Sequence, residues 1–65
     1  MMASEMNASA AERAEAARLF AEGKAAVVAE NYRHALDCYR RSLTLVDDPE
    51  VGEALQHLIA VVGPM

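Results

Sequence analysis

Apolar residues recur at helical spacing along three successive segments of this chain. The clearest stripe lies in the middle segment, where Tyr32, Leu36, Tyr39, Leu43 and Val46 follow one another at intervals of four, three, four and three residues. Residues at these intervals share one face of an α-helix, which turns once in about 3.6 residues. The stripe therefore predicts a helix from Tyr32 to about Val46.

A second, shorter stripe on the same segment consists of Cys38, Ser42 and Leu45. A helix with weakly polar or apolar residues on two faces packs between two neighbours, so this pattern predicts one helix before it and one after it. The helix is expected to follow a short turn at Glu30 and Asn31, with Asn31 as its N-cap.

The segment before this turn predicts the first helix of the chain. Ser9 and Glu12 have the spacing of a capping box, and the residues that follow are strong helix formers up to about Ala29. Gly23 lies inside this helix, where glycine costs about 1 kcal/mol relative to alanine. We therefore expect a second helix to pass close to Gly23, with Ala35 as the small surface opposite it.

The third helix is predicted between Asp48 and Gly63. Asp48 is a favourable N-cap, Pro49 suits the first helical position, and Gly63 followed by Pro64 ends the helix. The expected buried face of this helix consists of six residues: Val51, Ala54, Leu55, Leu58, Ile59 and Val62.

These patterns predict an all-α fold, a three-helix antiparallel bundle. The chain has 65 residues and therefore holds one domain at most. We expect a flexible N-terminal tail at residues 1–8 and the bundle at residues 9–65. A domain of this size buries only about 60% of its unfolded surface, so its stability is marginal and binding of a partner would increase it.

The charge balance narrows the range of partners. The net charge is −4, whereas nucleic-acid-binding domains carry a basic surface, so we expect no nucleic-acid partner. The run from Leu58 to Val62 is far shorter than the roughly 20 residues of a membrane span, and we expect no membrane insertion. The N-terminus has no signal-peptide pattern and Cys38 is the single cysteine. A cytoplasmic location is the resulting expectation.

Candidate catalytic and metal-binding residues are few. Cys38 and His34 are four residues apart and so share a helix face, and His57 of the third helix is the one further soft ligand. A closed zinc site takes four ligands, so we expect no metal or cofactor here, with Cys38 a buried core residue and His34 at the rim. We also expect no enzymatic activity. An acidic cluster is attributed to helix capping and solvation: Asp47, Asp48, Glu50 and Glu53.

The hairpin formed by the first two predicted helices resembles a tetratricopeptide repeat, a unit of 34 residues folded as helix-turn-helix. The matching positions run without a gap and are Leu19, Gly23, Ala26, Tyr32, Ala35, Tyr39 and Ser42. The third helix is then similar to the helix that ends such arrays. The chain also resembles, as a second choice, the microtubule-interacting and trafficking domain, a free-standing three-helix bundle.

Either resemblance implies a non-catalytic module that binds a peptide or helix of a partner protein. In related co-chaperones a lysine and an asparagine hold a terminal carboxylate, but those positions here are Phe20 and Lys24. The partner-binding face is therefore predicted to be an apolar patch with one cation: Phe20, Lys24, Val27 and Val28. The alternatives are a homodimer, in which this patch meets its copy, and a trafficking adaptor.

Overall fold

The computed structural model describes residues 9–63, and the tail predicted at residues 1–8 lies outside them. The described residues form three helices, α1 at Ala10–Val28, α2 at Tyr32–Leu45 and α3 at Pro49–Val62, with no strand among them. The predicted all-α three-helix fold is confirmed. Each helix boundary lies within one residue of its predicted position, because both the apolar spacing and the capping residues are local signals.

Two of the three predicted N-caps are confirmed. The Ser9 hydroxyl accepts a hydrogen bond from the Glu12 amide at 3.1 Å, and the Glu12 carboxylate accepts one from the Ser9 amide at 2.9 Å. At the start of α3, the Asp48 carboxylate accepts a hydrogen bond from the Glu50 amide at 3.0 Å. Asn31 occupies the N-cap position of α2, but within the described residues its side chain makes no capping hydrogen bond. The prediction that this side chain caps α2 is therefore wrong.

The turn between α1 and α2 is closed by two backbone hydrogen bonds. The Glu30 amide donates to the Val27 carbonyl at 2.9 Å, and the Asn31 amide donates to the Ala26 carbonyl at 2.8 Å. This pair of bonds is the Schellman motif, in which the residue after the C-cap adopts a left-handed conformation. Here that residue is Glu30, with φ of 63°, although glycine is the usual choice.

Replacing this strained residue is expected to stabilise the protein. Because a side chain at left-handed φ costs about 1–2 kcal/mol, Glu30→Gly should raise the free energy of unfolding by about 1 kcal/mol after the added flexibility of the unfolded chain is subtracted. Glu30→Ala is the matched control, since it removes the carboxylate but keeps the Cβ. Chemical denaturation of the three proteins measures the difference, and equal gains from both variants would contradict the account.

The core lies on both faces of α2, which packs against α1 and α3, whereas α1 and α3 have few contacts with each other. One face of α2 meets α1, where the buried Ser42 hydroxyl donates a hydrogen bond to the Ala16 carbonyl at 2.9 Å. The predicted position of α2 between two neighbours is therefore confirmed. The central cluster draws residues from all three helices: Ala26, Ala35, Leu36, Tyr39, Val51 and Leu58.

The closest approach of α1 to α2 occurs at Gly23. A Cβ atom placed on Gly23 would lie 2.5 Å from Cε1 and 2.7 Å from Cδ1 of Tyr39, and 3.3 Å from Cβ of Cys38. The predicted close approach is confirmed, but the predicted neighbour is wrong. The space left by the missing side chain is filled by the tyrosine ring rather than by the small surface of Ala35.

The α3 face that meets α2 is narrower than predicted. Val51 and Leu58 are buried, and the other predicted residues Ala54, Leu55 and Val62 are half-buried. Ile59 is 37% exposed, so its predicted burial is wrong. Contact with α2 alone covers one stripe of α3, because α1 does not close over the remaining apolar side chains.

Candidate functional site

The small contact between α1 and α3 leaves a groove at the surface of the bundle. We call it the Phe20 groove; its volume is about 330 Å³. One wall is formed by α1 and the other by the end of α2 and the start of α3. The residues that line it are Arg13, Ala16, Ala17, Phe20, Ala21, Lys24, Ser42, Val46, Asp48, Glu50 and Val51.

Phe20 is held in a defined orientation on the α1 wall. Its ring centroid lies 5.7 Å from that of Tyr39 at an interplanar angle of 59°, a tilted aromatic contact. The Lys24 ammonium lies over the same ring, 4.5 Å from its centroid, which is the geometry of a cation–π interaction. Phe20 remains half-buried, so its ring offers apolar surface to the groove without first having to be ordered.

Charges of opposite sign stand on the two walls of the Phe20 groove. Arg13 and Lys24 belong to α1, and Asp48 and Glu50 belong to the start of α3. Half-buried apolar residues such as Phe20 and Val46 line the groove together with these charges. The groove is therefore polarised, and it favours a ligand with an apolar stripe, negative charge towards α1 and positive charge towards α3.

A second groove, of about 230 Å³, lies between the end of α1 and the middle of α3. We call it the Tyr32 groove, and its lining is Val27, Tyr32, Tyr39, Ala54, His57, Leu58 and Val61. The four residues predicted to bind a partner are thus divided. Phe20 and Lys24 line the Phe20 groove, Val27 lines the Tyr32 groove, and Val28 lies outside both with 85% of its surface exposed.

A cluster of three chemically active side chains lies where α1 and α2 face each other. Nε2 of His34 lies 2.8 Å from Oε2 of Glu22 and 3.6 Å from Sγ of Cys38. The thiol is buried, as predicted, while His34 lies at the rim. His57, which the sequence offered as a third soft ligand, lines the Tyr32 groove and does not belong to this cluster. Sequence reasoning missed Glu22, which lies on α1, outside the helix that carries the other two.

No known protein family matches this chain, and neither curated proteins nor solved structures give a significant match. None of the helices in residues 9–63 combines the length and the apolar character required to cross a membrane. The two grooves and the Glu22–His34–Cys38 cluster are the features of the described residues that bear on function.

Hydrogen bonds set the charge state of Glu22. His34, and after it Arg18, hold the pKa of the Glu22 carboxyl below its ordinary value through side-chain hydrogen bonds. The Arg18 guanidinium donates to Oε1 of Glu22 at 2.9 Å and also to both carboxylate oxygens of Glu15, at 3.0 Å and 2.6 Å. Glu22 is therefore an ionised carboxylate at neutral pH, with a hydrogen-bond partner on each of its oxygens.

The same surroundings keep Cys38 protonated. Burial raises the pKa of the Cys38 thiol above its ordinary value, and the negative charges of Glu22 and Asp37 raise it further. A nucleophilic cysteine needs the opposite arrangement, a cationic environment that favours the thiolate. Glu22 and Cys38 also approach the same nitrogen of His34, whereas a catalytic relay uses both ring nitrogens. The geometry therefore gives no support to nucleophilic catalysis.

Proposed function

We propose that this chain is a non-catalytic interaction module that binds an amphipathic helix of a partner protein in the Phe20 groove. The observation that carries the proposal is the separation of α1 from α3, which leaves an apolar groove with a pre-positioned aromatic ring and a different charge on each wall. Insertion of a helix between two helices is an established mode of peptide recognition, and it would also cover the apolar surface of a marginally stable domain.

The groove specifies the chemistry of the proposed partner helix. Its apolar stripe would pack against Phe20 and Val46, with an acidic residue facing Lys24 and a basic residue facing Glu50. Opposite charges on the two walls favour one orientation of the bound helix over the reverse, because the reverse places like charges together.

We further propose that the α1–α2 hairpin is of the tetratricopeptide type. The support is the helix crossing at Gly23, where the absence of a side chain leaves room for the ring of Tyr39. Gly23 and Tyr39 are two of the positions that carry the resemblance. The length of α3 supports this choice over the trafficking domain, since a longer third helix is expected there and α3 has 14 residues. We also propose that the protein acts in the cytoplasm. Its single cysteine, Cys38, is consistent with a reducing compartment.

Changing Phe20 tests the binding surface. Phe20→Glu is expected to weaken partner binding at least roughly thirtyfold, because an aromatic anchor at the centre of an interface typically contributes about 2 kcal/mol or more. Ala25→Glu is the matched control, since Ala25 is an exposed residue of the same helix that lies outside the groove. Affinity capture from extract of the source cells, with quantitative mass spectrometry, compares the two variants with the parent protein.

Before this comparison, circular dichroism should show that both variants are as helical as the parent protein. Proteins retained by the parent chain and by Ala25→Glu, and lost with Phe20→Glu, support the proposal. Equal retention by all three proteins would place the partner on another face.

Self-association is the second candidate function, favoured by the exposed apolar side chains of Val28 and Val61, which are 85% and 60% exposed. In that case a second copy of the chain, related by a two-fold axis, would cover these side chains. Sedimentation velocity over a range of concentrations separates the two functions. A monomeric mass throughout agrees with the proposed function, and a dimer that Val28→Lys dissociates would favour self-association.

A further inference from the structure

We propose that Glu22, His34 and Cys38 form a binding site for one divalent transition-metal ion, with zinc the best fit. The site joins α1 to α2 at their crossing and is separate from the Phe20 and Tyr32 grooves, whose linings contain none of the three residues. The inference therefore does not depend on the proposed function.

One of the three separations between the ligand atoms already matches tetrahedral coordination. Each residue offers one ligand atom, and the three atoms lie within 4.8 Å of one another. Zinc bonds of about 2.3 Å to sulfur and 2.0 Å to nitrogen place those two atoms about 3.5 Å apart. The separation of Sγ of Cys38 from Nε2 of His34 is 3.6 Å. The oxygen–nitrogen separation of 2.8 Å must lengthen by about half an ångström. Glu22 and His34 are both partly exposed and have room for this adjustment.

The convergence of two groups on one nitrogen is the observation that points to a metal. If Nε2 of His34 carries a proton, it donates a hydrogen bond to Glu22. The Cys38 thiol then has no acceptor at Nε2. If Nε2 is unprotonated, it accepts a hydrogen bond from the Cys38 thiol. The Glu22 carboxylate then has no proton to accept on this nitrogen. In either state, only one of the two contacts to Nε2 is a hydrogen bond. A cation between the three atoms is attracted to all of them at once.

The three ligand types indicate which metal the site would take. A thiolate and an imidazole favour zinc and other transition metals over magnesium and calcium, which prefer oxygen ligands. Three protein ligands leave a fourth position for water or for a group of a binding partner. The exposed edges of Glu22 and His34 place that position towards solvent, since Cys38 lies on the buried side.

The hydrogen bond from Arg18 to Glu22 supports this assignment. Arg18 donates to Oε1 of Glu22, the oxygen that does not meet His34, and Arg18 is itself held by Glu15. Metal-binding carboxylates are commonly oriented in this way by a hydrogen bond to the other oxygen. Binding would displace the thiol proton of Cys38 to solvent, because the ligand form of cysteine is the thiolate.

Titration of the full chain with Co²⁺, and in parallel with Zn²⁺, tests the site. We expect one equivalent of Co²⁺ to produce a saturable thiolate-to-cobalt charge-transfer band in the near ultraviolet, with release of about one proton per ion. Saturating Zn²⁺ is expected to raise the thermal midpoint by about 5–10 °C, because the ion binds the folded chain and links two helices.

The variants distinguish this site from adventitious binding. His34→Gln and Glu22→Gln change partly exposed residues, so both proteins should fold, and each is expected to abolish saturable binding and the thermal shift. Cys38→Ala removes the charge-transfer band. His57→Gln is the matched control and should bind as the parent does. Absence of the band with excess Co²⁺, equal binding by His34→Gln, or loss of binding with His57→Gln would each overturn the proposal.

Discussion

Tyr39→Ala is expected to lower the free energy of unfolding by about 3–5 kcal/mol, the usual cost of removing a buried aromatic ring. The ring is 3% exposed, belongs to the central cluster, fills the space opposite Gly23 and contacts the ring of Phe20. Its loss would open a cavity at the point where α1 crosses α2. For a domain of this length the whole stability is roughly 3–10 kcal/mol, so this substitution should remove a large part of it.

Two controls make this prediction specific. Tyr39→Phe keeps the ring and should cost less than about 1.5 kcal/mol. Tyr32→Ala removes the same side chain from a half-buried position, and its cost should be clearly smaller than that of Tyr39→Ala. Urea denaturation followed by far-ultraviolet circular dichroism measures all three. Similar losses for the two alanine variants would show that Tyr39 is not the centre of the core.

Gly23→Ala is expected to destabilise the protein by about 2 kcal/mol, although alanine is the better helix former. The gain in helix propensity is about 1 kcal/mol, but the new Cβ would overlap the ring of Tyr39, and overpacking of this kind costs about 3 kcal/mol. The ring is buried and Cβ of Cys38 is fixed to the α2 backbone, so relief requires the two helices to move apart.

Gly52→Ala is the matched control for this substitution. Gly52 lies inside α3, and a Cβ added there meets nothing within 4 Å. It should therefore stabilise the protein by about 1 kcal/mol, through helix propensity alone. Thermal or urea denaturation should give shifts of opposite sign for the two glycine variants. A stabilising effect of Gly23→Ala would contradict the close helix crossing.

The fold could be predicted from the sequence because its signals are local. The capping box at Ser9, the N-cap at Asp48 and the stripe along α2 each depend on residues a few positions apart. Apart from the missing side-chain cap at Asn31, the errors concern the orientation of the helices. Whether Ala35 or Tyr39 fills the space at Gly23, and whether Ile59 is covered, depends on how the helices rotate and tilt against one another, which residue spacing does not determine.

The candidate sites were predicted in part for the same reason. Phe20 and Lys24 are four residues apart on α1, so their common face follows from helical spacing. The opposite wall of the groove, with Val51, depends on where α3 docks. Glu22 reaches His34 across 12 residues of sequence, and only the packing of α1 against α2 brings that pair to Cys38.

Site-specific photo-cross-linking tests most directly whether the Phe20 groove receives a partner. A benzophenone amino acid at the position of Ala21 would lie in the groove and leave Phe20 and Lys24 intact, and the same group in place of Ala25 would lie on exposed surface outside it. We predict that irradiation in the source cells gives a cross-linked partner from position 21 and none from position 25. A partner cross-linked from position 25 alone, or a product with twice the mass of the chain, would contradict the account.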